Sequence, residues 1–438
     1  MKKIIIYIIL FFITFVIVSL LALPIFFDLI FSVFILFIFR NNFISIIILN
    51  FLIATMIIVI DISLGKNEKH SYFFRAHEKY TTKKARYQKN VSDIIFMPHG
   101  DIYFMDYGLN KERNLIKEPR TQEFITDSYG IRNNKTKIED AEIILVGDSF
   151  ITANGNTQKH IPSNVLSEIS SKKVAALSYG GLNPAEYEFI INKYLNIIRK
   201  DAKIFVFYFS GNDFLQKKKK IDDVSTNGNL KYIYWRGYKI PSLSGKIRFA
   251  YESLERKKDK LLLQILSENN YFLRNIRAKS HSMYMKFFSK LHNTGSGIKY
   301  FKIQNKTVGF YYPDDFGINN DYHTYIFSNK KILERVNGFF FIPIKSRIYS
   351  DYIDSITYID SVKIGENNKL KYLKDSYSKI NKPVYDLTKI MKLSVPKYLA
   401  EGKYLYWRGD THWNYNGIYE SMNYVNVIIK KKYEKKIT

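Results

Sequence analysis

The sequence contains no cysteine, and this absence excludes several classes of site at once. Without a thiol the chain can form no disulfide, no thiolate metal site and no cysteine nucleophile. It also has no cysteine to which a lipid anchor could be attached. Any attachment to a membrane must therefore come from the chain itself.

Acidic residues are scarce compared with basic ones. The chain of 438 residues has 40 Asp and Glu against 67 Lys and Arg, a formal net charge of +27 at pH 7. Such an excess often marks a nucleic-acid-binding protein. Here lysine is frequent along the whole chain, which indicates a general compositional trend rather than one basic patch, so we expect no nucleic-acid partner. An apolar content of 46% is enough for a sizeable core.

Long apolar runs, by contrast, fill the N-terminus. Residues 4–22 carry no charge, residues 24–39 carry only Asp28, and residues 43–60 are again uncharged. A bilayer core needs about 20 helical residues, so these lengths fit membrane spans. A cleaved signal peptide is the alternative, but its apolar core is shorter and is not followed by two further apolar segments. The sequence predicts a membrane anchor over residues 1–64, formed by three transmembrane helices.

The number of spans determines on which side of the membrane the rest of the chain lies. Three spans with Lys2, Lys3 and Arg40 on the cytoplasmic side satisfy the positive-inside tendency. The basic segment 66–89 opposes this orientation, and a re-entrant segment 24–39 would leave the remainder in the cytoplasm. Because long domains translocate largely regardless of charge, we expect a multi-pass protein of the cell membrane whose main domain is extracytoplasmic, in the periplasm.

Beyond a polar connector at residues 65–140, short apolar runs recur with the spacing of parallel strands. Each run is rich in β-branched or aromatic residues and ends in a polar residue or glycine, as buried parallel strands do. Helices are expected between the first runs, at residues 161–170 and 185–199. This pattern predicts an α/β domain with a doubly wound parallel sheet, which binds ligands beyond the carboxyl ends of its strands. The runs lie in residues 141–150, 172–181, 202–214, 338–349 and 382–388, and a last strand-like stretch lies at residues 403–407.

The pattern is interrupted between residues 214 and 337. This segment is too long for a single crossover connection, so we interpret it as an inserted cap within a domain that spans residues 141–438. The lysine run at residues 217–220 is interpreted as a solvated loop.

Polar residues and glycines collect where the predicted strands end. In a doubly wound sheet these ends meet at one edge. A serine hydroxyl becomes a nucleophile when an imidazole accepts its proton, a carboxylate holds that imidazole in the required tautomer, and amide donors stabilise the oxyanion that forms. All of these groups are present, so the set fits an acyl-transfer site. In chain order they are Ser149, Gly180, Gly181, Asn212, Asp410 and His412.

Each of these motifs also has an ordinary structural explanation. The stretch "GDS" is a common strand-to-turn sequence, and "GND" is a favoured turn. Asp410 and Asn414 could cap the helix expected after them. Asp410 and His412 could be metal ligands, although no further His or Glu lies nearby at ligand spacing. We expect no metal and no cofactor.

Taken in order, the motifs resemble the blocks of the SGNH (GDSL-type) hydrolase superfamily. The matching stretches are "ILVGDSF", "SYGGLNPAEY", "FSGNDF" and the late Asp/His pair, with "PIKSRIY" and "VYDLT" before that pair. The superfamily has Asp-x-x-His in its last block, whereas this chain has Asp-x-His followed by Trp and Asn. That departure is similar to the alginate O-acetyltransferase-related branch, whose late motif reads much like "DTHWN" here. The resemblance covers roughly residues 124–429 apart from the insertion.

The resemblance implies a flavodoxin-like, SGNH-type fold and a Ser-His-Asp mechanism. By position, Ser149 is the implied nucleophile, His412 the general base and then acid, and Asp410 the carboxylate that orients the imidazole. Two further carboxylates next to these motifs, Asp148 and Asp213, are interpreted as braces of their loops.

The oxyanion hole that the resemblance implies consists of the Ser149 amide, a glycine amide and the Asn212 side chain. Gly181 is favoured over Gly180 as the glycine. Several other side chains could contact a sugar ring or an anionic substrate. For the aromatic ones, packing of the loop is the alternative, and for the basic ones a solvated position. These candidates are Trp407, Trp413, Tyr415, Lys345 and Arg347.

Together with the predicted anchor, the resemblance implies a membrane-anchored serine esterase or O-acyltransferase that acts on acyl groups of a cell-envelope polysaccharide, with acetyl as the expected acyl group. The expected partners are that polysaccharide or another acylated substrate, the membrane through the N-terminal helices, and a membrane acyl donor protein. Two alternatives stay open. One is a lipid-directed esterase or thioesterase, and the other is a catalytically inactive envelope glycan-binding or assembly factor.

Overall fold

A computed structural model describes most of the chain beyond the predicted anchor. The predicted anchor, apart from Thr14 and Ile35, and the lysine run at residues 217–220 lie outside the described part. Within the part that is described, no helix is both long and apolar enough to cross a membrane. The described residues are 87–97, 99–102, 118–133, 136–216, 232–235, 238–241, 298–311 and 322–434, together with Thr14 and Ile35.

The described elements alternate between strands and helices over most of the chain. The strands are β1 (Ser92–Met97), β2 (Arg120–Ile125), β3 (Ile143–Gly147), β4 (Val174–Ser178), β5 (Lys203–Phe209), β6 (Leu215–Gln216), β7 (Tyr232–Trp235), β8 (Tyr238–Pro241), β9 (Lys299–Ile303), β10 (Lys306–Phe310), β11 (Tyr322–His323), β12 (Val336–Ile342) and β13 (Val384–Asp386). The α-helices are α1 (Ser149–Thr152), α2 (Pro162–Ser170), α3 (Pro184–Tyr194), α4 (Lys330–Arg335), α5 (Lys345–Ile348), α6 (Ile356–Ser378), α7 (Thr388–Ala400) and α8 (Tyr415–Ile429). Short 3-10 helices lie at Ile138–Asp140, Gln158–His160 and Ser350–Tyr352, and a π-helical turn at Lys430–Glu434.

The chain divides into two compact units. One comprises residues 1–72 and 225–296, and the other residues 73–224 and 297–438. In the first unit, the described strands β7 and β8 form an antiparallel hairpin in which Tyr232 lies opposite Pro241. The second unit contains the other described strands and all of the described α-helices listed by range above.

A five-stranded, fully parallel sheet forms the centre of the second unit. Its strands lie in the order β4-β3-β5-β12-β13. The chain runs from β3 to its neighbour β4 and then returns past β3 to β5, so the direction of winding changes between β3 and β5. Sheets of this kind bind ligands at such a switch point, outside the carboxyl ends of the strands. The predicted parallel α/β sheet is therefore confirmed.

Helices cover both faces of this sheet because alternate strand residues point to opposite sides. Ile143 and Leu145 of β3 belong to one apolar cluster, which includes residues of α2, α7 and α8. Ile144 and Val146 belong to a second cluster, which includes residues of α3 and α6. All five residues of β3 are buried, as expected for a strand packed on both faces.

Two predicted strand regions differ from the structure. The run at residues 338–349 ends as a strand at Ile342, because Pro343 has no N–H to donate to a neighbouring strand, and residues 345–348 form α5 instead. The strand-like stretch at residues 403–407 does not join the sheet. There, Tyr406 only forms an isolated bridge with Trp413.

Segments outside the sheet flank its carboxyl edge. Part of the predicted connector forms the antiparallel hairpin of β1 and β2, with Ser92 opposite Ile125. Strands β6 and β11 also pair, with Leu215 opposite His323. The hairpin of β9 and β10 contacts the late Asp/His motif, since Gly309 N–H donates to the Arg408 carbonyl at 3.0 Å.

Candidate active site

Ser149 lies at the carboxyl end of β3, as the first residue of the one-turn helix α1. Asp148 precedes it as the N-cap, and its Oδ1 accepts a hydrogen bond from Phe150 N–H at 3.0 Å. This cap fixes the turn that presents the serine. Asp148 is buried, whereas Ser149 is partly exposed, so a substrate can reach its hydroxyl.

Ser149, His412 and Asp410 form one continuous hydrogen-bond chain. Ser149 Oγ is 2.9 Å from His412 Nε2, and His412 Nδ1 is 2.7 Å from Asp410 Oδ1. Ser149 Oγ also lies 3.3 Å from Asp148 Oδ2, a longer contact than the one to the imidazole. Because a carboxylate only accepts, Nδ1 carries the ring proton and Nε2 is left to accept the serine proton.

Asp410 is buried beside an arginine that keeps it ionised. Burial acts to raise the pKa of its carboxyl, but the hydrogen bond from His412 and the charge of Arg120 outweigh burial and hold the pKa well below its usual range. Arg120 Nη2 donates to Asp410 Oδ2 at 2.5 Å, and Arg120 Nε donates to the Gly155 carbonyl at 2.9 Å. The arginine also stacks over the ring of Trp407, 4.4 Å from its centroid.

The loop that carries the Asp/His pair is held by hydrogen bonds within the loop and by hydrogen bonds from a lysine. Trp407 N–H donates to the His412 carbonyl at 3.2 Å, next to the bridge between Tyr406 and Trp413. Lys345 Nζ donates to three carbonyls of this loop, at 2.9, 3.1 and 2.8 Å; they belong to Trp407, Arg408 and Asp410.

Lys345 therefore has a different position from the one predicted. Its side chain is buried in α5 rather than solvated at the end of a strand, and its ammonium group donates to carbonyls of the loop. Burial lowers its pKa to about 8. Arg347, on the same helix, donates from Nη2 to Asn367 Oδ1 at 2.8 Å.

The two predicted oxyanion glycines differ in their environment. Gly180 N–H donates to the Tyr87 hydroxyl at 3.1 Å. Gly181 has a φ of +82°, which favours glycine, and the space beside its Cα is open. These contacts favour Gly181 as the donor that faces an incoming substrate.

Asn212 lies beyond the end of β5, across the switch point from Ser149. Its Nδ2 donates one hydrogen bond to Asp148 Oδ2 at 3.2 Å, and the side-chain amide has a second N–H. The residue is exposed, so that second donor can meet a ligand. Asp148 thus contacts both Ser149 and the Asn212 amide, and burial raises the pKa of the Asp148 carboxyl.

Asp213 stabilises the loop after β5 through hydrogen bonds to its buried carboxyl group. Its Oδ2 accepts hydrogen bonds from Phe209 N–H and from the Tyr187 hydroxyl, both at 2.8 Å. Burial, together with the nearby charge of Asp148, raises the pKa of Asp213 well above its usual range.

The aromatic candidates take three different positions. Trp413 is fully buried, and its Nε1–H donates to the Phe150 carbonyl at 3.1 Å, so it packs the loop and cannot stack on a sugar. Trp407 is half-buried beneath Arg120. Tyr415 is 39% exposed and lies against the ring of His160, with centroids 4.1 Å apart, so it remains available to a ligand.

The predicted connector supplies three charged residues that sequence reasoning missed. Asp101 accepts a hydrogen bond from Thr411 N–H at 2.6 Å, and Glu118 Oε2 accepts one from Gly409 N–H at 2.7 Å. Arg120 is the third. No local motif marks them, because each acts on a loop about 300 residues later in the chain.

A metal ion does not fit the acidic groups of this site. Ligand atoms of Asp101, Asp410 and His412 lie within 4.8 Å of one another. However, Asp410 already binds His412 and the Arg120 cation, and Thr411 donates to both oxygens of Asp101. A metal ion bound here would have to displace these donors, and it would be repelled by the positive charge of Arg120.

No protein-family model and no curated protein matches this chain. Its resemblance to the SGNH hydrolases therefore depends on its own motifs.

Proposed function

We propose that this chain is a membrane-anchored serine esterase or O-acyltransferase of the SGNH type. It acts on acyl groups of a cell-envelope polysaccharide, and acetyl is the acyl group that we expect. The observation that carries the proposal is the hydrogen-bond chain from Ser149 through His412 to Asp410, with distances of 2.9 and 2.7 Å. Numbered in chain order the sheet strands lie 2-1-3-4-5, the flavodoxin-like order, which supports the SGNH-type assignment of the fold.

The first half-reaction begins at the serine hydroxyl. Ser149 Oγ attacks the carbonyl carbon of the ester while its proton moves to His412 Nε2, and the carbonyl oxygen becomes an oxyanion. Collapse of this intermediate breaks the bond to the alcohol oxygen. The imidazolium gives its proton to that oxygen, and the acyl group stays on Ser149.

The oxyanion is stabilised by donors that are already in place. Ser149 N–H, Gly181 N–H and the second N–H of Asn212 are the proposed donors, and Asp148 holds the Asn212 amide. A donor of this kind lowers the barrier by about 3 kcal/mol.

The second half-reaction uses the same base in the same way. His412 takes a proton from an incoming hydroxyl, whose oxygen attacks the acyl-enzyme, and Ser149 recovers its proton from the imidazolium. Water as the acceptor gives hydrolysis, and a sugar hydroxyl gives O-acyl transfer.

Labelling and turnover of the full chain in detergent test this proposal. We expect wild-type protein to react with a fluorophosphonate probe at Ser149 and to cleave a chromogenic acetyl ester. Ser149→Ala should abolish labelling, and His412→Ala should slow turnover by at least about a thousandfold. Ser361→Ala, in a serine whose hydroxyl bonds the Thr357 carbonyl on α6, is the matched control and should behave as wild type.

Three results would contradict the proposal. Full activity in the Ser149 or His412 variant would remove the assigned mechanism. A wild-type protein that neither labels nor turns over any ester would favour the inactive glycan-binding alternative. A strong preference for long acyl chains over acetyl would favour the lipid esterase.

A further inference from the structure

A second buried carboxylate lies behind the imidazole of His412. Asp101 is 5% exposed, and its Oδ2 is 3.6 Å from His412 Nδ1, the nitrogen that bonds Asp410. Asp101 comes from the short stretch before β2 and is separated by 310 residues from Thr411, which it also binds. The imidazole thus faces carboxylates from two distant parts of the chain.

The position of Asp101 is fixed by several contacts. Its Oδ1 accepts Thr411 N–H at 2.6 Å, and its Oδ2 accepts the Thr411 hydroxyl. Thr411 Oγ1 is in turn 3.3 Å from His412 Nδ1. These two donors and the nearby Lys345 ammonium group favour the ionised form of Asp101, whereas its hydrogen bond with the Asp410 carboxyl opposes it.

The preceding residue allows this close approach. A Cβ added to Gly100 would lie 2.2 Å from the Gly409 carbonyl oxygen and 2.7 Å from Asp410 Cβ. Only glycine lets the backbone next to Asp101 contact the Asp/His loop so closely.

Charges from four elements surround the imidazole. The Asp/His loop contributes Asp410 and Arg408, and the end of β3 contributes Asp148. Helix α5 contributes Lys345, which binds loop carbonyls. Arg120 contacts Asp410 at 2.5 Å and Arg408 contacts Glu118 at 3.6 Å, so each arginine offsets a carboxylate. The segment before and at the start of β2 contributes Asp101, Glu118 and Arg120.

We propose that Asp101 is a positioning residue of the active site, which fixes Thr411 behind the imidazole and stabilises the imidazolium that forms when His412 accepts the Ser149 proton. The inference rests on the proposed function. Asp101 exchanges no proton in this step: the proton moves from Ser149 Oγ to His412 Nε2, Nδ1 keeps its own, and Asp101 acts through its charge. Arg120 offsets part of the negative charge of Asp410. A second carboxylate therefore increases the electrostatic attraction that stabilises the positively charged imidazolium.

The pH dependence of serine labelling separates this role from a purely structural one. A fluorophosphonate reacts with Ser149 when His412 is neutral, so the labelling rate rises through the pKa of that histidine. Removing a negative charge disfavours the imidazolium and moves this midpoint to lower pH. We expect Asp101→Asn to shift it down by about 1 pH unit and to lower the plateau rate about tenfold.

Two further variants make the test specific. Thr411→Val removes the hydroxyl bond to Asp101 but keeps both carboxylates, so its midpoint should stay at the wild-type pH. Asp101→Ser is a second neutral variant and should shift the midpoint as Asp101→Asn does. All measurements use the full chain in detergent, with a thermal unfolding curve for each variant.

The outcomes distinguish this inference from the proposed function. If wild-type protein is not labelled at all, the proposed function fails. If wild type is labelled and a folded neutral variant keeps the wild-type midpoint, the role of Asp101 is refuted while the function stands. Failure of both neutral variants to fold would also count against the inference, because it would make Asp101 a structural residue.

Discussion

At the scale of single residues, the ion pair between Arg120 and Asp410 is buried, with side-chain exposures of 8% and 3%. Removing one partner of a buried pair leaves an uncompensated charge, which costs about 3 kcal/mol or more. We therefore expect Arg120→Gln to lower the free energy of unfolding by about 3 kcal/mol and to slow Ser149 labelling. Denaturant unfolding and the phosphonate assay measure the two effects.

An exposed pair of similar geometry provides the control. Arg199 Nη2 lies 2.6 Å from Asp201 Oδ2, but both side chains are in solvent. Arg199→Gln should leave stability almost unchanged, because exposed ion pairs contribute little. Equal losses in the two variants would show that burial is not what makes Arg120 important.

Asp213 should make stability depend on pH in a defined direction. Burial raises its pKa in the folded state, so folding favours the protonated carboxyl, and this contribution is lost as pH rises from the ordinary aspartate pKa through the raised value. Asp213→Asn does not ionise. The free energy of unfolding of Asp213→Asn minus that of wild type should therefore increase with pH between the ordinary aspartate pKa and the raised one. The increase should be up to about 1.4 kcal/mol per pH unit.

Thermal or denaturant unfolding of both proteins at several pH values measures this difference. The pH trend is the informative quantity, because the new amide also changes hydrogen bonding by a constant amount. A difference that stays flat with pH would show that Asp213 ionises normally in the folded state.

The positions of site residues could be predicted from the sequence when those residues lie in a short motif directly after a predicted strand. Ser149 and Asn212 follow β3 and β5, and the structure brings them together as the strand order requires. The role of Lys345 could not be predicted. Its three carbonyl partners are supplied by a loop more than 60 residues later, and a lysine in a sequence rich in lysine gives no local signal.

At the scale of elements, the site depends on two segments meeting at Gly100. We expect Gly100→Ala to displace the Asp/His loop, since the added methyl group would overlap the Gly409 carbonyl at 2.2 Å. The labelling rate of Ser149 should fall at least about tenfold, because small misplacements of catalytic groups cost that much or more.

Gly338 in β12 is the matched control for this substitution. A Cβ there would lie 2.9 Å from a ring atom of Tyr385, at the strand pair β12–β13 rather than at the Asp/His loop. Gly338→Ala should reduce stability but leave the labelling rate of the folded protein unchanged. If Gly100→Ala labels at the wild-type rate, the close contact is not needed for the geometry of the site.

The sheet was the most predictable element, and the connector the least. Apolar runs with glycine or polar ends predicted five parallel strands, because burial on both faces imposes that composition. The predicted connector instead contains the β1–β2 hairpin and the residues Asp101, Glu118 and Arg120, which bind the Asp/His loop. Contacts over such sequence distances leave no periodic pattern.

At the scale of the whole molecule, the apolar N-terminus and the proposed reactivity of Ser149 together give a prediction. If three spans anchor the chain, Ser149 lies outside the cytoplasm. A membrane-impermeant fluorophosphonate should then label the protein in intact cells or spheroplasts before lysis. Ser149→Ala should give no band, and a cytoplasmic serine hydrolase of the same cells should stay unlabelled until lysis.

Labelling that appears only after lysis would contradict the three-span prediction. It would not contradict the proposed reaction of Ser149 with the phosphonate. The re-entrant alternative for residues 24–39 would then account for the cytoplasmic location. The assay thus separates the side of the membrane from the identity of the nucleophile.

The short Asp-x-His spacing has a consequence for how the site assembles. Asp410 Oδ1 accepts both the backbone N–H and the ring Nδ1–H of His412, at 3.1 and 2.7 Å, so acid and base form a closed unit within three residues. Among Ser149, His412 and Asp410, one long-range contact then remains, that of His412 with Ser149 across 263 residues. During refolding, reactivity of Ser149 towards a phosphonate is therefore expected to appear only when Ser149 and the Asp/His loop come together. The rate at which labelling appears would time that step.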